Sequence, residues 1–237
     1  MYEDNGHETE MTDPVALATL IDTLKDGEHR SQLIEKLGTL LSLHDSWSLY
    51  VHFKCGNANS YGVSYSCIGS FQTITGFWAH MNSIPSVCNM LTGNVSMCKR
   101  EVAAYSLFRT GVSPAWEDKV NKDGGEWGCR KHIKSIHWKN IWTSLALACI
   151  NEEIKKVVGI RMINKSSNAK QMQKLEAWLT TSSTCEAHES LLELQHCLSP
   201  LTMKSPLVFS YAQHTQKQEQ ADTYAARPVA KAVLHQN

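Results

Sequence analysis

The chain has 237 residues, 42% of them hydrophobic, and its 23 Lys and Arg balance 23 Asp and Glu, so the formal net charge is zero. That neutrality argues against a general nucleic-acid binder, which draws affinity from many phosphate contacts, so any RNA it holds is gripped through a small feature. No run of about 18 apolar residues marks a membrane span, the acidic start MYEDNGHETE lacks the apolar stretch of a secretion signal, and eight cysteines without a short-spaced framework read as reduced thiols of cytosol or nucleus.

Val15, Leu17, Leu20, Ile21 and Leu24 make a helical stripe behind Asp13-Pro14, and Leu33, Ile34, Leu37, Leu40 and Leu41 make another. Both helices fall in an extension, residues 1–43. Trp47, Leu49, Val51 and Phe53 alternate with Ser48, Tyr50 and His52, which predicts a strand with one buried face and one partly wet. Past the turn-rich CGNANS, Val63, Tyr65 and Cys67 alternate in a second strand. Ile74, Phe77, Trp78 and Met81 then share one helix face, a spacing that by itself reads Trp78 as core. The connection from Ser83 to Ala104 is long, and reads either as a surface lying against RNA or a partner, or as a mobile insertion.

The densest chemistry lies in YSLFRTGVSPAWEDKVNKDGGEW, from Tyr105 to Trp127. Ser113-Pro114 on one side and Gly124-Gly125 on the other mark a surface loop, and that loop carries Trp116 beside Glu117. An indole attracts a cationic planar ring, and a carboxylate accepts hydrogen bonds from N–H groups on that ring's edge. Guanine methylated at N7 has both properties; unmethylated guanine lacks the charge.

Farther on, Ile141, Trp142, Leu145 and Cys149 predict a second helix, and Ala187, Leu191, Leu194 and Leu198 a third. Between them, alternation puts Val158, Ile160 and Met162 on one strand face and Arg161, Ile163 and Lys165 on the other. In the next strand Leu175, Ala177 and Leu179 oppose Lys174, Glu176 and Trp178. Strands followed by isolated helices give an α+β class, with helices packed on one face of an antiparallel sheet.

YSLF, GVSPAWED and NKDGGEW resemble, in order and spacing, the ventral loop of the eukaryotic translation initiation factor 4E family, whose members bind the 7-methylguanosine cap of messenger RNA. A looser resemblance runs from Trp47 to His214 through DSWSLY, the Phe77-Trp78 helix, Trp178 and VFSYAQH. It implies a curved antiparallel sheet with three helices on its convex face, a cap-binding domain over 44–214 and a flexible tail over 215–237. It further implies stacking of the methylated base between Tyr61 and Trp116, hydrogen bonding by Glu117, methyl contact by Trp178 and phosphate contact by Lys165 and Lys174. The same resemblance moves Trp78 to an exposed dorsal surface with Ile74 and Leu147 as neighbours. There it receives a Tyr-x4-Leu-Φ helix from an initiation factor 4G-type scaffold or a 4E-binding protein. It implies no cofactor, no catalysis and a cytoplasmic setting.

Two residues depart from the family pattern. Tyr61 stands where the family usually has Trp, a swap found in the 4E-homologous branch whose members often repress translation, and Glu126 stands where a basic residue is common. Activator and repressor both remain open on these residues. Two rival readings are weaker. Cys129 with His132 and Cys185 with His188 have Cys-x-x-His spacing, but more than 50 residues part the pairs. No nucleophile elbow, metalloprotease helix or phosphate-binding loop motif points to an enzyme.

Overall fold

A computed structural model describes residues 41–54, 65–93, 95–166 and 171–215. The chain divides into two compact units, Met1–Ser42 and Leu43–Asn237. Nearly all described residues belong to the second. The two N-terminal helices, Val63 and the tail beyond Thr215 lie outside the described residues.

Among those residues the strands are β1 (Ser42–Phe53), β2 (Tyr65–Thr73), β3 (Ser96–Met97), β4 (Arg100–Arg109), β5 (Gly125–Lys131), β6 (Val157–Asn164), β7 (Gln173–Leu179) and β8 (Ser210–Gln213). The helices are α1 (Ile74–Ser83), α2 (Val87–Leu91), α3 (Ser135–Ile150) and α4 (Thr184–Thr202). One sheet runs in the order β2-β1-β4-β6-β7-β5-β8, with β3 paired to β4. The β4-β6, β6-β7, β7-β5 and β5-β8 pairs are all antiparallel. This is the α+β architecture expected, with one helix more than expected.

Alternation in β1 works as read: Trp47, Leu49, Val51 and Phe53 all enter the core shared with the helices. The opposite face is drier than predicted. Ser48 and His52 are buried as well, and His52 Nε2 lies 2.7 Å from Ser106 Oγ on β4. Thr73 starts α1 by accepting from Gly76 N at 3.0 Å, and Phe77 is that helix's buried anchor. Trp138, Ile141, Trp142 and Leu145 of α3, with Ala187, Leu194 and Leu198 of α4, close the same core. Trp138, to which the sequence assigned no role, is fully buried and donates its indole N–H to Gln173 Oε1 at 3.1 Å.

Two expectations need correction. The Ser83 to Ala104 connection is a folded, core-packed segment rather than a mobile insertion, with Ser96, Cys98, Lys99 and Arg100 left exposed. It folds into α2 and the β3 hairpin, and Val87, Met90 and Leu91 plug the core. Asn164 Nδ2 locks it by donating to Met90 O at 3.0 Å. The second correction is on β6. The register against β7 shifts between Val157 and Gly159, so Val158 leaves the face of Ile160 and Met162 and joins Trp178 on the other side of the sheet. An extra residue in one strand inverts the alternation behind it.

Candidate functional site

The face of the sheet away from the helices carries a second, smaller apolar cluster of Phe108, Val112, Val158 and Trp178, with Tyr50, Trp116 and Val120 packed against it. Gly159 makes room for it, because a Cβ there would collide with the Phe108 ring. Trp178 is the buried floor. Phe108 meets it edge-on at 5.3 Å, the His214 ring lies at 4.5 Å and the Arg161 guanidinium sits 5.0 Å from its centroid.

The loop bearing Trp116 is held by two residues that the sequence reading passed over. Asp118 accepts from Ser113 N and Val120 N, both at 2.9 Å. Asn121 is fully buried, and its Nδ2 donates to Ser113 O at 2.7 Å and Ala115 O at 2.8 Å. His214 seals the far end, with Nδ1 at 2.7 Å from Asn121 O and its own N–H on Gly124 O at 3.1 Å. Thus stapled, the loop half-buries Trp116 and leaves Glu117 exposed next to it.

A row of charge crosses the sheet below that loop. Arg161 of β6 pairs with Glu176 of β7 through Nη2 at 2.6 Å and Nε at 2.7 Å. Trp178 Nε1 donates to the same carboxylate at 3.1 Å. Lys174 Nζ contacts the other Glu176 oxygen and lies 2.9 Å from Glu126 Oε1 of β5. Gly128 permits this reach, since a Cβ at that position would stand 3.3 Å from Lys174 Cε. Burial pulls the Lys174 pKa down, but Glu176 and Glu126 more than offset it and the net shift is upward. Burial, then the Arg161 charge, holds His52 down at about 3 against a pull from Glu176, so this ring stays neutral.

Of the residues expected to recognise a ligand, the fold brings Trp116 and Trp178 into one cluster and keeps Glu117 on the rim. Lys174 shares the Trp178 face but is mostly buried and committed to two carboxylates. Lys165 is exposed just past β6, where its N–H extends the hairpin by donating to Met172 O at 2.8 Å. Tyr61 lies outside the described residues. On the helical side Trp78 is 40% exposed, which removes the core reading of its spacing, while Ile74 of α1 and Leu147 of α3 are half-buried. Trp47 and Trp142 are fully buried, and Trp127 donates to Ala187 O at 2.8 Å, so all three are structural.

Cys129 is buried in β5 while His132, Cys185 and His188 are exposed, and none joins a metal-sized grouping among the described residues. The grouping found there, His44, Asp45 and Glu152, is an ion-pair cluster around Arg109. No helix among the described residues is long and apolar enough to cross a membrane.

A helix-backed antiparallel sheet whose opposite face carries an aromatic cluster, a stapled loop and a charged row defines an α+β protein. The family model of eukaryotic initiation factor 4E matches residues 42–228, and the chain belongs to that family. It is similar to eukaryotic translation initiation factor 4E of Dictyostelium discoideum, 27% identical over 67% of this chain and 59% of that protein. The human factor is 30% identical over 46% of this chain and 47% of its own length, and factor 4E-1A of Danio rerio 34% over the same shares. The chain thus spans about half of the curated relatives' length. Among solved structures, a complex of C. elegans eIF4E-3 with the 4E-binding protein Mextli aligns with TM-score 0.60 at 18% identity, covering 76% of this chain and 96% of that one. A second complex, which also holds a cap analog, aligns with TM-score 0.59 at 19% identity, over 76% and 95%.

Proposed function

We propose that this chain binds the 7-methylguanosine cap of messenger RNA on the open face of its sheet and recruits a helical partner at Trp78 in translation initiation. Its cap-binding domain spans 44–214, between an N-terminal extension and a C-terminal tail. The methylated base stacks between Tyr61 and Trp116 while Glu117 takes the N1–H and exocyclic amine. Trp178 supports the N7-methyl end, and the phosphates lie over the cationic end of β6 and β7, where Lys165 and Lys174 stand.

The observation that carries this reading is the placement of Trp116. Its ring rests on the Trp178 cluster while Glu117 stays exposed in a loop that Asp118 and Asn121 hold in shape. A large ring and a carboxylate are held at a rim that the helical core does not need. Likewise, Trp78 with Ile74 and Leu147 suits a Tyr-x4-Leu-Φ helix of a 4G-type scaffold or a 4E-binding protein; the similar C. elegans protein was solved with one 4E-binding protein. The chain acts in the cytoplasm by binding and performs no chemistry on the cap.

A translational repressor of the 4E-homologous type is the second reading. It is favoured by Lys174, whose charge is already matched by Glu126 and Glu176, and by Tyr61 in place of Trp. Both features lower affinity for a bare cap. Tryptophan-fluorescence titration with 7-methyl-GTP and GTP tests cap binding itself. We expect methyl-selective quenching, lost in Trp116→Ala and weakened about 100-fold in Glu117→Ala, the cost of a two-bond charged contact. Equal affinity for both nucleotides would overturn the reading.

A further inference from the structure

Four charged side chains on the open face form a closed account. Arg161 and Lys174 contribute two positive charges, Glu126 and Glu176 two negative, and the carboxylate side chains are each 2% exposed. Lys174 bonds both carboxylates at once, so a phosphate that claimed its ammonium would strand buried negative charge, which is strongly unfavourable.

Two further cations stand at the same end of the sheet outside that account. Arg130 is the direct cross-strand partner of Lys174 on β5, hence on the same face, and it is exposed. Lys165 follows β6 on that face, two residues past Ile163, which is itself paired with Lys174. Neither is ion-paired with a carboxylate among the described residues. Arg130 and Lys165 flank Lys174 from the two neighbouring strands, roughly 10 Å apart across the sheet, a span their long side chains can close around one anion. They also feel a shared field. The Lys165 pKa is lowered by desolvation first, then by Arg161, Lys174 and Arg130 against Glu176. An anion between them would relieve that repulsion.

Resting on the cap-binding reading, we infer that Arg130 and Lys165 contact the cap's phosphates, and that Lys174 is a buried strut which holds Glu126 and Glu176 under the site without touching the ligand. Arg130 gives the ligand a planar, two-pronged donor where a lysine offers only a point charge. Nothing in the loop motif points to this residue; it follows from the β5-β7 register and the buried pairs.

The test compares 7-methyl-GMP with 7-methyl-GTP, each titrated against the full chain and its Arg130→Gln, Lys165→Gln and Lys174→Gln variants, with melting temperatures alongside. Arg130→Gln and Lys165→Gln should each cut the affinity gained from 7-methyl-GMP to 7-methyl-GTP about tenfold and leave the melting temperature in place. Lys174→Gln should lower the melting temperature by roughly 10 °C and keep the triphosphate preference wherever it remains folded. If Arg130→Gln keeps the full triphosphate gain, the inference fails whether or not Lys174→Gln folds. It fails equally if a folded Lys174→Gln loses as much of that gain as Arg130→Gln. A wild-type chain that shows no methyl selectivity would instead overturn the cap-binding reading on which it rests.

Discussion

Asn121→Ala tests whether the loop bearing Trp116 is shaped from within. The Asn121 side chain is fully buried and points into the loop, where its Nδ2 serves Ser113 O and Ala115 O at 2.7 and 2.8 Å. Truncation removes two hydrogen bonds to carbonyls, each with a net value of about 1 kcal/mol, and opens a space the size of an amide, so the loss comes to about 2–3 kcal/mol. In a domain of this size each kcal/mol moves the melting temperature by about 2–4 °C, which predicts a fall of roughly 4–12 °C. Because the staple ties Asn121 to Ser113 and Ala115, the segment that presents Trp116 and Glu117 loosens with it. Amide hydrogen exchange should therefore accelerate at Val120 and Gly124, whose N–H groups are bonded inside the loop, while β1 and β4 amides keep their protection. Affinity for 7-methyl-GTP should drop several-fold although Asn121 faces no ligand. An unchanged melting temperature with unchanged exchange at those two amides would refute the claim that this side chain shapes the loop.

Met90→Ala should cost about 2–5 kcal/mol by calorimetry or denaturant titration, because Met90 of α2 is completely buried in the main core; a loss below about 0.5 kcal/mol would mean that α2 is only surface decoration. Trp78→Ala removes a ring that is 40% exposed, so stability should change by less than about 1 kcal/mol while capture of a Tyr-x4-Leu-Φ peptide disappears in a pull-down. A large stability loss with the peptide still bound would return Trp78 to the core. His52, held at about 3, lies below its unfolded value near 6.5, so the unfolded chain gains a proton first. Stability is full above about pH 6.5 and declines as pH falls toward 3; His52→Gln should flatten that slope in urea titrations between pH 4 and 7, and parallel slopes would show that other groups set it.

What the sequence disclosed depended on how local the cause was. Alternation in β7 placed Leu175, Ala177 and Leu179 in the core and Lys174, Glu176 and Trp178 opposite, because a regular strand keeps a period of two and needs no knowledge of its neighbours. One strand earlier the same rule failed at Val158, since the register shift beside Gly159 comes from pairing with β7 and leaves no local sign in the sequence. Trp78 shows a different limit. A helical stripe buried in a core and one left partly exposed have the same spacing, and only the packing around α1 separates them. The staples Asp118 and Asn121 sat in full view inside a polar loop, where short side chains that bond backbone are common enough to pass for ordinary turn residues.

The charged row was the least legible part, and the reason bears on how site residues are carried between relatives. The resemblance placed Lys174 at a phosphate position and marked Glu126 as a departure, but treated the two as separate facts. They meet because β5 and β7 are neighbours in the sheet although 48 residues part Glu126 from Lys174. Once Glu126 and Glu176 stand on either side of that ammonium, the residue keeps its identity and loses its freedom to serve a ligand, since the nearer carboxylates compete for the same donors at no cost in translational entropy. A residue's role at such a site is therefore fixed by the charges its cross-strand neighbours bring, and a matched lysine beside unmatched carboxylates is where transfer by position fails first.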